Sequence, residues 1–138
     1  KDNKTVNEFT QKIQTALAYM PYAPILFISA KTGQRIDKLF EFINYVYEQS
    51  VLRISTGMLN DVLNDAVTKV QPPSDKGHRL KLYYITQVSV KPPTFVIFVN
   101  DKELMHFSYT RYLENRIRDA FGFKGTSLKF IIRERKEG

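Results

Sequence analysis

The stretch LKLYYITQVSVKPPTFVIFVND, Leu80–Asp101, decides the fold. Leu80, Leu82, Tyr84, Val88 and Val90 recur at steps of two and place one apolar side on a long strand. Lys81, Tyr83, Gln87 and Ser89 form the other side. Lys91-Pro92-Pro93 breaks the pattern, because proline has no N–H to give to a ladder. Thr94–Val99 is then apolar almost throughout, which predicts a second strand that is more buried than the first.

Working outward, Ser55 or Thr56 caps a helix whose Leu59, Val62, Leu63, Ala66, Val67 and Val70 share one face. QPPSDKGH, residues 71–78, reads as a polar loop. Beyond the two strands, Ser108 is the expected cap of another helix, with Phe107 stapled onto Tyr112 and Gly122 as its stop. Leu128, Phe130 and Ile132 then alternate with Lys129, Ile131 and Arg133 in a last strand. The order is α-β-β-α-β. It predicts an α+β fold with three strands and helices on one face.

The first 50 residues read differently. Thr5 and Glu8 form a capping box before Val6, Phe9, Ile13, Ala16, Leu17 and Met20 at helical spacing. Ile25–Ile28 is a short strand apolar on both sides. Ser29-Ala30-Lys31-Thr32-Gly33 turns the chain into a second amphipathic helix carrying Ile36, Leu39, Phe40, Ile43, Val46 and Tyr47. A lone strand buried on both faces cannot satisfy its own edges. This unit therefore reads as the end of a larger α/β domain, and as the less stable half of the chain. The start at Lys1 rather than Met agrees with a fragment, a processed chain or further residues upstream.

Composition narrows the function. The chain has 138 residues, is 43% hydrophobic and holds 18 Phe and Tyr, enough for a core and too many for a disordered chain. It has no cysteine, so disulfides and Cys-ligated zinc are excluded. His78 and His106 lack metal-like spacing. No apolar run is long enough to span a membrane, and no signal-peptide pattern appears. The net charge is +7 and uneven: residues 1–50 carry 6 Lys and Arg against 5 Asp and Glu, residues 51–138 carry 15 against 9. That asymmetry points to an anionic partner, nucleic acid first, unless the charge merely solubilises the surface.

No nucleophile with a base, no metal cluster and no G-x-x-x-x-G-K-[ST] phosphate loop is present. Asn3-Lys4-Thr5-Val6 lacks the carboxylate of a guanine-reading N-K-x-D. Ser29-Ala30-Lys31 sits where a strand's carboxyl end meets a helix. Backbone N–H groups there can point at a guanine oxygen, or the segment is a plain turn. Gly122-Phe123-Lys124-Gly125 matches the G-x-x-G of KH domains, but joins a helix to a strand and reads better as a helix-terminating turn. On a helical wheel Arg116 falls inside the apolar face, while Arg111, Asn115 and Arg118 face away. Arg116 either snorkels, pairs with a carboxylate such as Asp101, or meets an anion or another domain. This wheel predicts a larger loss of stability from Arg116→Ala than from changing Arg118. Lys129, Arg133, Arg135 and Lys136 give the last strand and tail a basic edge.

YAPILFISAKTG, LNDVLNDAV, YYITQVSVKPPTFVIFVND and LMHFSYTRYLENRIRDAFGFKGT together resemble the Der (EngA) family of bacterial GTPases, across essentially the whole chain. That family has two tandem G domains followed by a KH-like domain. The Era family, also a G domain joined to a KH domain, is expected to keep a working G-x-x-G between helices, which is not found here. The resemblance implies that residues 1–52 end the second G domain and residues 53–138 are the KH-like domain. Ser29, Ala30 and Lys31 would be the last guanine-binding motif. GTP or GDP and Mg²⁺ would belong to the parent protein, with no cofactor expected for this fragment, which alone would not hydrolyse GTP. The implied partners are the parent's G domains, the large ribosomal subunit and its rRNA, in the cytoplasm. Candidate rRNA contacts are Lys81, Lys91, Arg111, Arg118, Lys124, Lys129, Arg133, Arg135 and Lys136. A stand-alone RNA-binding module without a nucleotide role and a protein-interaction domain whose basic charge is incidental are the other readings.

Overall fold

The alternating stretch forms strand β3, Leu82–Ser89. Thr94–Val99 forms the more deeply buried β4. Both are seen in a computed structural model that describes residues 3–16, 22 and 36–136. The other elements are α1 (Asn3–Ala16), α2 (Ile36–Ser50), α3 (Thr56–Lys69), β1 (Ser74–Asp75), β2 (His78–Arg79), a 3₁₀ turn (Lys102–Leu104), α4 (Phe107–Phe121) and β5 (Lys129–Glu134). The α3-β3-β4-α4-β5 order is the expected one. The strands lie in the order β3-β4-β5, with β3 antiparallel and β5 parallel to β4. Among the described residues no helix is long and apolar enough to cross a membrane. Ile25–Ile28 and the Ser29–Gly33 turn lie outside the described residues.

The core lies between the sheet and two helices. Leu59, Leu63 and Ala66 of α3 and Tyr109, Leu113 and Ile117 of α4 meet Ile85, Phe95, Ile97 and Val99 of the strands. Phe95 stacks on Phe130 at 5.4 Å and meets Phe123 edge-on at 5.9 Å. β3 turns a different set inward from the one simple alternation predicts. A register shift between Leu82 and Tyr84 inserts one residue, as a β-bulge does. Leu82 still packs on the core, but Ile85 and Gln87 are the buried residues that follow. Tyr84 and Val88 instead face solvent.

Side-chain carboxamides tie the outer edge of β3 into the fold. Asn60 of α3 accepts from the Ile85 N–H (3.0 Å) and donates to the Ile85 carbonyl (2.9 Å), as a neighbouring strand would. Gln87 is only 7% exposed. Its Oε1 accepts from the Ile54 N–H at 2.7 Å and its Nε2 donates to the Leu52 carbonyl at 2.9 Å. The segment between α2 and α3 is thereby sewn to the sheet. Asn60 thus satisfies edge groups that an unpaired strand leaves exposed, and Gln87 satisfies backbone groups of the connecting segment.

Several ends differ from expectation. α1 begins at Asn3, so Thr5 lies inside its first turn instead of capping it. Ser55 caps α3, accepting from the Met58 N–H. α4 begins at Phe107 behind His106, which makes no side-chain cap bond. Ser108 is therefore not the cap. Phe107 is 75% exposed and sits under the Arg111 guanidinium, 5.1 Å away, and so does not staple onto Tyr112. The 71–78 segment contains a hairpin: Lys76 (φ 51°) and Gly77 (φ 78°) turn β1 onto β2, with both central residues at positive φ.

α4 is also pinned to α3 by two hydroxyls. Tyr109 donates to the Val70 carbonyl at 2.8 Å and Tyr112 to the Ala66 carbonyl at 2.7 Å. Burial, with Tyr112 beside it, pushes the Tyr109 hydroxyl up to about 12. The unfolded hydroxyl ionises near pH 10, so the stabilising difference is complete below that pH and is lost as pH rises through about 12. Urea unfolding between those limits should show stability falling more steeply for the native chain than for Tyr109→Phe. Parallel pH profiles would refute this.

Candidate nucleic-acid interface

The G-x-x-G turn is closed from inside. Gly122 (φ 99°) ends α4, its N–H donating to the Arg118 carbonyl at 2.8 Å. A Cβ there would stand 3.1 Å from Gln49 Oε1, and a side chain would be strained at that φ. Phe123 is fully buried in the core. The Arg118 guanidinium donates to the Phe123 and Thr126 carbonyls, both at 2.9 Å, and through Nε to Glu114 at 3.0 Å. The Lys124 N–H donates to Gln49 Oε1 of α2 at 3.2 Å. A backbone clamp needs an open turn with unengaged N–H groups; here the Gly122 and Lys124 N–H groups are taken and the turn is braced by Arg118 and Gln49.

These contacts reverse the two arginines of α4. Arg118 is the inward one, with a side chain 15% exposed and carrying three anchoring bonds. It also lies 4.6 Å from the Tyr22 ring centroid. It is thus withdrawn from the candidate RNA contacts. Arg116 is 31% exposed and pairs with Asp65 at 3.3 Å, not with Asp101. Its buried Nε meets no acceptor. Asp101 instead accepts from the Glu103 N–H and lies 3.8 Å from His78.

Three of the predicted cations do come together. A groove of about 470 Å³ at one end of the sheet is lined by Lys81, Arg135 and Lys136 with Gly77, His78, Arg79, Tyr83 and Asn100. The hairpin turn at Lys76–Gly77 brings His78 and Arg79 back to this rim. Asn100 aligns it, accepting from the Lys81 N–H (2.8 Å) and donating to the Arg79 carbonyl (2.9 Å). The Arg135 N–H donates to the Val99 carbonyl, which carries β5 one step further to the same edge. Arg79 is steadied by donating to Gln71 and to the Pro72 carbonyl. Sequence reasoning missed His78 and Arg79. The Asp75-Lys76-Gly77 hairpin signal between two polar pairs could have found them. Such a cluster attracts a polyanion, with strength that falls as salt rises.

The remaining candidates are spread out. Lys129 and Arg133 are exposed on β5. Arg111 stacks over Phe107 on α4. Lys91 sits at the opposite end of β3, its Nζ 5.0 Å over the Tyr47 ring and its N–H donating to the Ser50 carbonyl. It thus serves the junction with α2. Lys124 is exposed beside the closed turn. Ser29, Ala30 and Lys31 lie outside the described residues.

Residues 53–133 match the family described as KH-domain-like of EngA bacterial GTPase enzymes, C-terminal. Similar proteins include GTPase Der of Agathobacter rectalis, 68% identical over 99% of this chain and 31% of its own length. GTPase Der of Lachnoclostridium phytofermentans is 66% identical with the same coverage. GTPase Der of Listeria monocytogenes is 57% identical, again over 99% of this chain and 31% of its length. The chain thus spans about a third of the length of the curated relatives it matches. With a family match over more than half its residues and such identity across nearly all of it, the chain belongs to the Der (EngA) family of bacterial GTPases and holds that family's KH-domain-like C-terminal part.

Proposed function

We propose that this chain is the C-terminal portion of a cytoplasmic GTP-binding protein that hydrolyses GTP and acts in assembly of the large (50S) ribosomal subunit. In this reading residues 1–52 end the second G domain and residues 53–138 form a KH-like domain that touches rRNA and the parent's G domains. The basic groove of Arg79, Lys81, Arg135 and Lys136 carries the RNA part of the reading. An exposed apolar stripe on α2, with Phe40, Ile43 and Tyr47 all more than half exposed, supports the domain part. Such a stripe at helical spacing suits a helix that covers a sheet supplied by residues outside this chain. Ser29, Ala30 and Lys31 would supply one wall of the guanine pocket. Phosphate binding and Mg²⁺ would fall to motifs upstream, so the isolated chain should show no nanomolar affinity for GTP.

Binding of an rRNA fragment, followed by fluorescence anisotropy across salt concentrations, tests the proposal. Affinity should fall steeply with salt, by roughly 0.7 log units per log unit of salt for each single-strand phosphate neutralised. The double change Arg135→Ala and Lys136→Ala should flatten that slope by about one to two units. An affinity that hardly changes with salt would refute the RNA reading.

A further inference from the structure

We propose that a single-stranded RNA segment lies against the Tyr84 end of the sheet face turned away from the core, its bases stacked on Tyr84 and Phe98 and its phosphates held by Arg133 and Arg135. The inference rests on the RNA reading above and names the form of RNA and where it sits.

Register defines the face. Ile85, Phe95, Ile97 and Val99 point into the core, so the residues alternating with them point away. Tyr84, Phe98 and Arg133 stand side by side in one cross-strand row. Thr86, Val96 and Ile131 form the next row, and Thr94 and Lys129 the one after. Tyr84 is 40% exposed, and its ring lies 6.2 Å from that of Phe98 at a tilt of 46°. Val96 and Thr94 further along the same side are buried, so the accessible part of this face is the Tyr84 end, where an aromatic pair offers π-faces to unpaired bases, whatever their sequence.

Charge completes the match. Lys129 and Arg133 lie on this side of β5 with Ile131 between them, and Arg135 follows just past its end, roughly 6.6 Å beyond Arg133. The acid between them, Glu134, is turned to the other side, where it accepts from the Lys102 N–H at 2.9 Å. The basic groove begins where this track ends, with Arg135 common to both. A face meant for another protein's apolar surface would not set a row of cations beside its aromatic pair. A duplex would bring phosphates to the cations but no bases to the rings. The closed G-x-x-G turn removes the other route by which a KH-type fold holds a single strand.

The test uses this 138-residue chain with a labelled single-stranded RNA of about ten mixed nucleotides and a hairpin duplex of the same bases. Tyr84→Leu keeps an apolar contact with Phe98 but removes the π-face; Tyr84→Phe restores it. Tyr84→Leu should weaken single-strand binding roughly 10- to 100-fold, and Tyr84→Phe by less than about twofold. Duplex binding should be nearly the same for all three, as should the melting temperature. Arg133→Ala should weaken both forms and reduce the salt slope by about 0.7. Unchanged single-strand affinity in Tyr84→Leu, with the native chain still binding RNA, overturns the site, leaves the face to a protein partner and spares the RNA reading. Failure of the native chain to bind either form overturns both.

Discussion

Arg118→Ala should lower stability by about 3 kcal/mol, while Arg116→Ala changes it by about 0.5 kcal/mol or less. Arg118 places its planar fork between the Phe123 carbonyl of the G-x-x-G turn and the Thr126 carbonyl just past it, and holds Glu114 with its remaining edge. Truncation leaves the Phe123 and Thr126 carbonyls without those donors, in a turn whose phenylalanine is part of the core. A melting-temperature loss above roughly 10 °C is expected for a domain of this size. Arg118→Lys should recover little, because an ammonium on a flexible stem cannot span both carbonyls and the carboxylate. Arg116 reaches an exposed aspartate and leaves a donor unmatched, so its removal has little to undo. Equal melting temperatures for the two alanine variants, or a larger loss at Arg116, would sink this assignment.

Gln87→Leu should cost about 2–3 kcal/mol although it makes the core more apolar. The leucine would fit the space but would strand the Ile54 N–H and the Leu52 carbonyl, both now bonded to the Gln87 side chain. An unmade buried hydrogen bond outweighs the gain of one apolar side chain here because two backbone groups lose their partner together. The loss should be local as well as global. Hydrogen exchange at Ile54 should speed up relative to that at Ile97 in the middle of β4. A variant as stable as the native chain, with Ile54 still protected, would refute the account.

The element order was legible because alternation, caps and the Gly122 stop all agree on it. The register of β3 was not. A bulge leaves no mark in hydrophobicity, and Ile85 and Leu82 are equally apolar whichever way they point. Gln87 reads as a surface residue, since a polar side chain earns its buried place only through partners 33 to 35 residues away in sequence. The arginines of α4 were exchanged because a wheel projects Cβ directions, whereas a guanidinium several bonds further out follows its acceptors. Arg118 lies in the last turn of α4 and can fold over the helix end; Arg116, further back, cannot. For the candidate interface, Lys81, Arg135 and Lys136 were readable as basic residues, but their meeting depends on a hairpin and on Asn100.

The outer edge of β5 pairs with nothing among the described residues, so its backbone is an open template onto which a second chain could zip. Lys129, Arg133 and Arg135 stand along that template, and two chains docking there would set cation against cation. The same side chains that would greet RNA therefore also keep copies of the protein apart. Neutralising all three in one variant would invite slow fibrous self-association, visible as light scattering on standing, before any change in the fold itself.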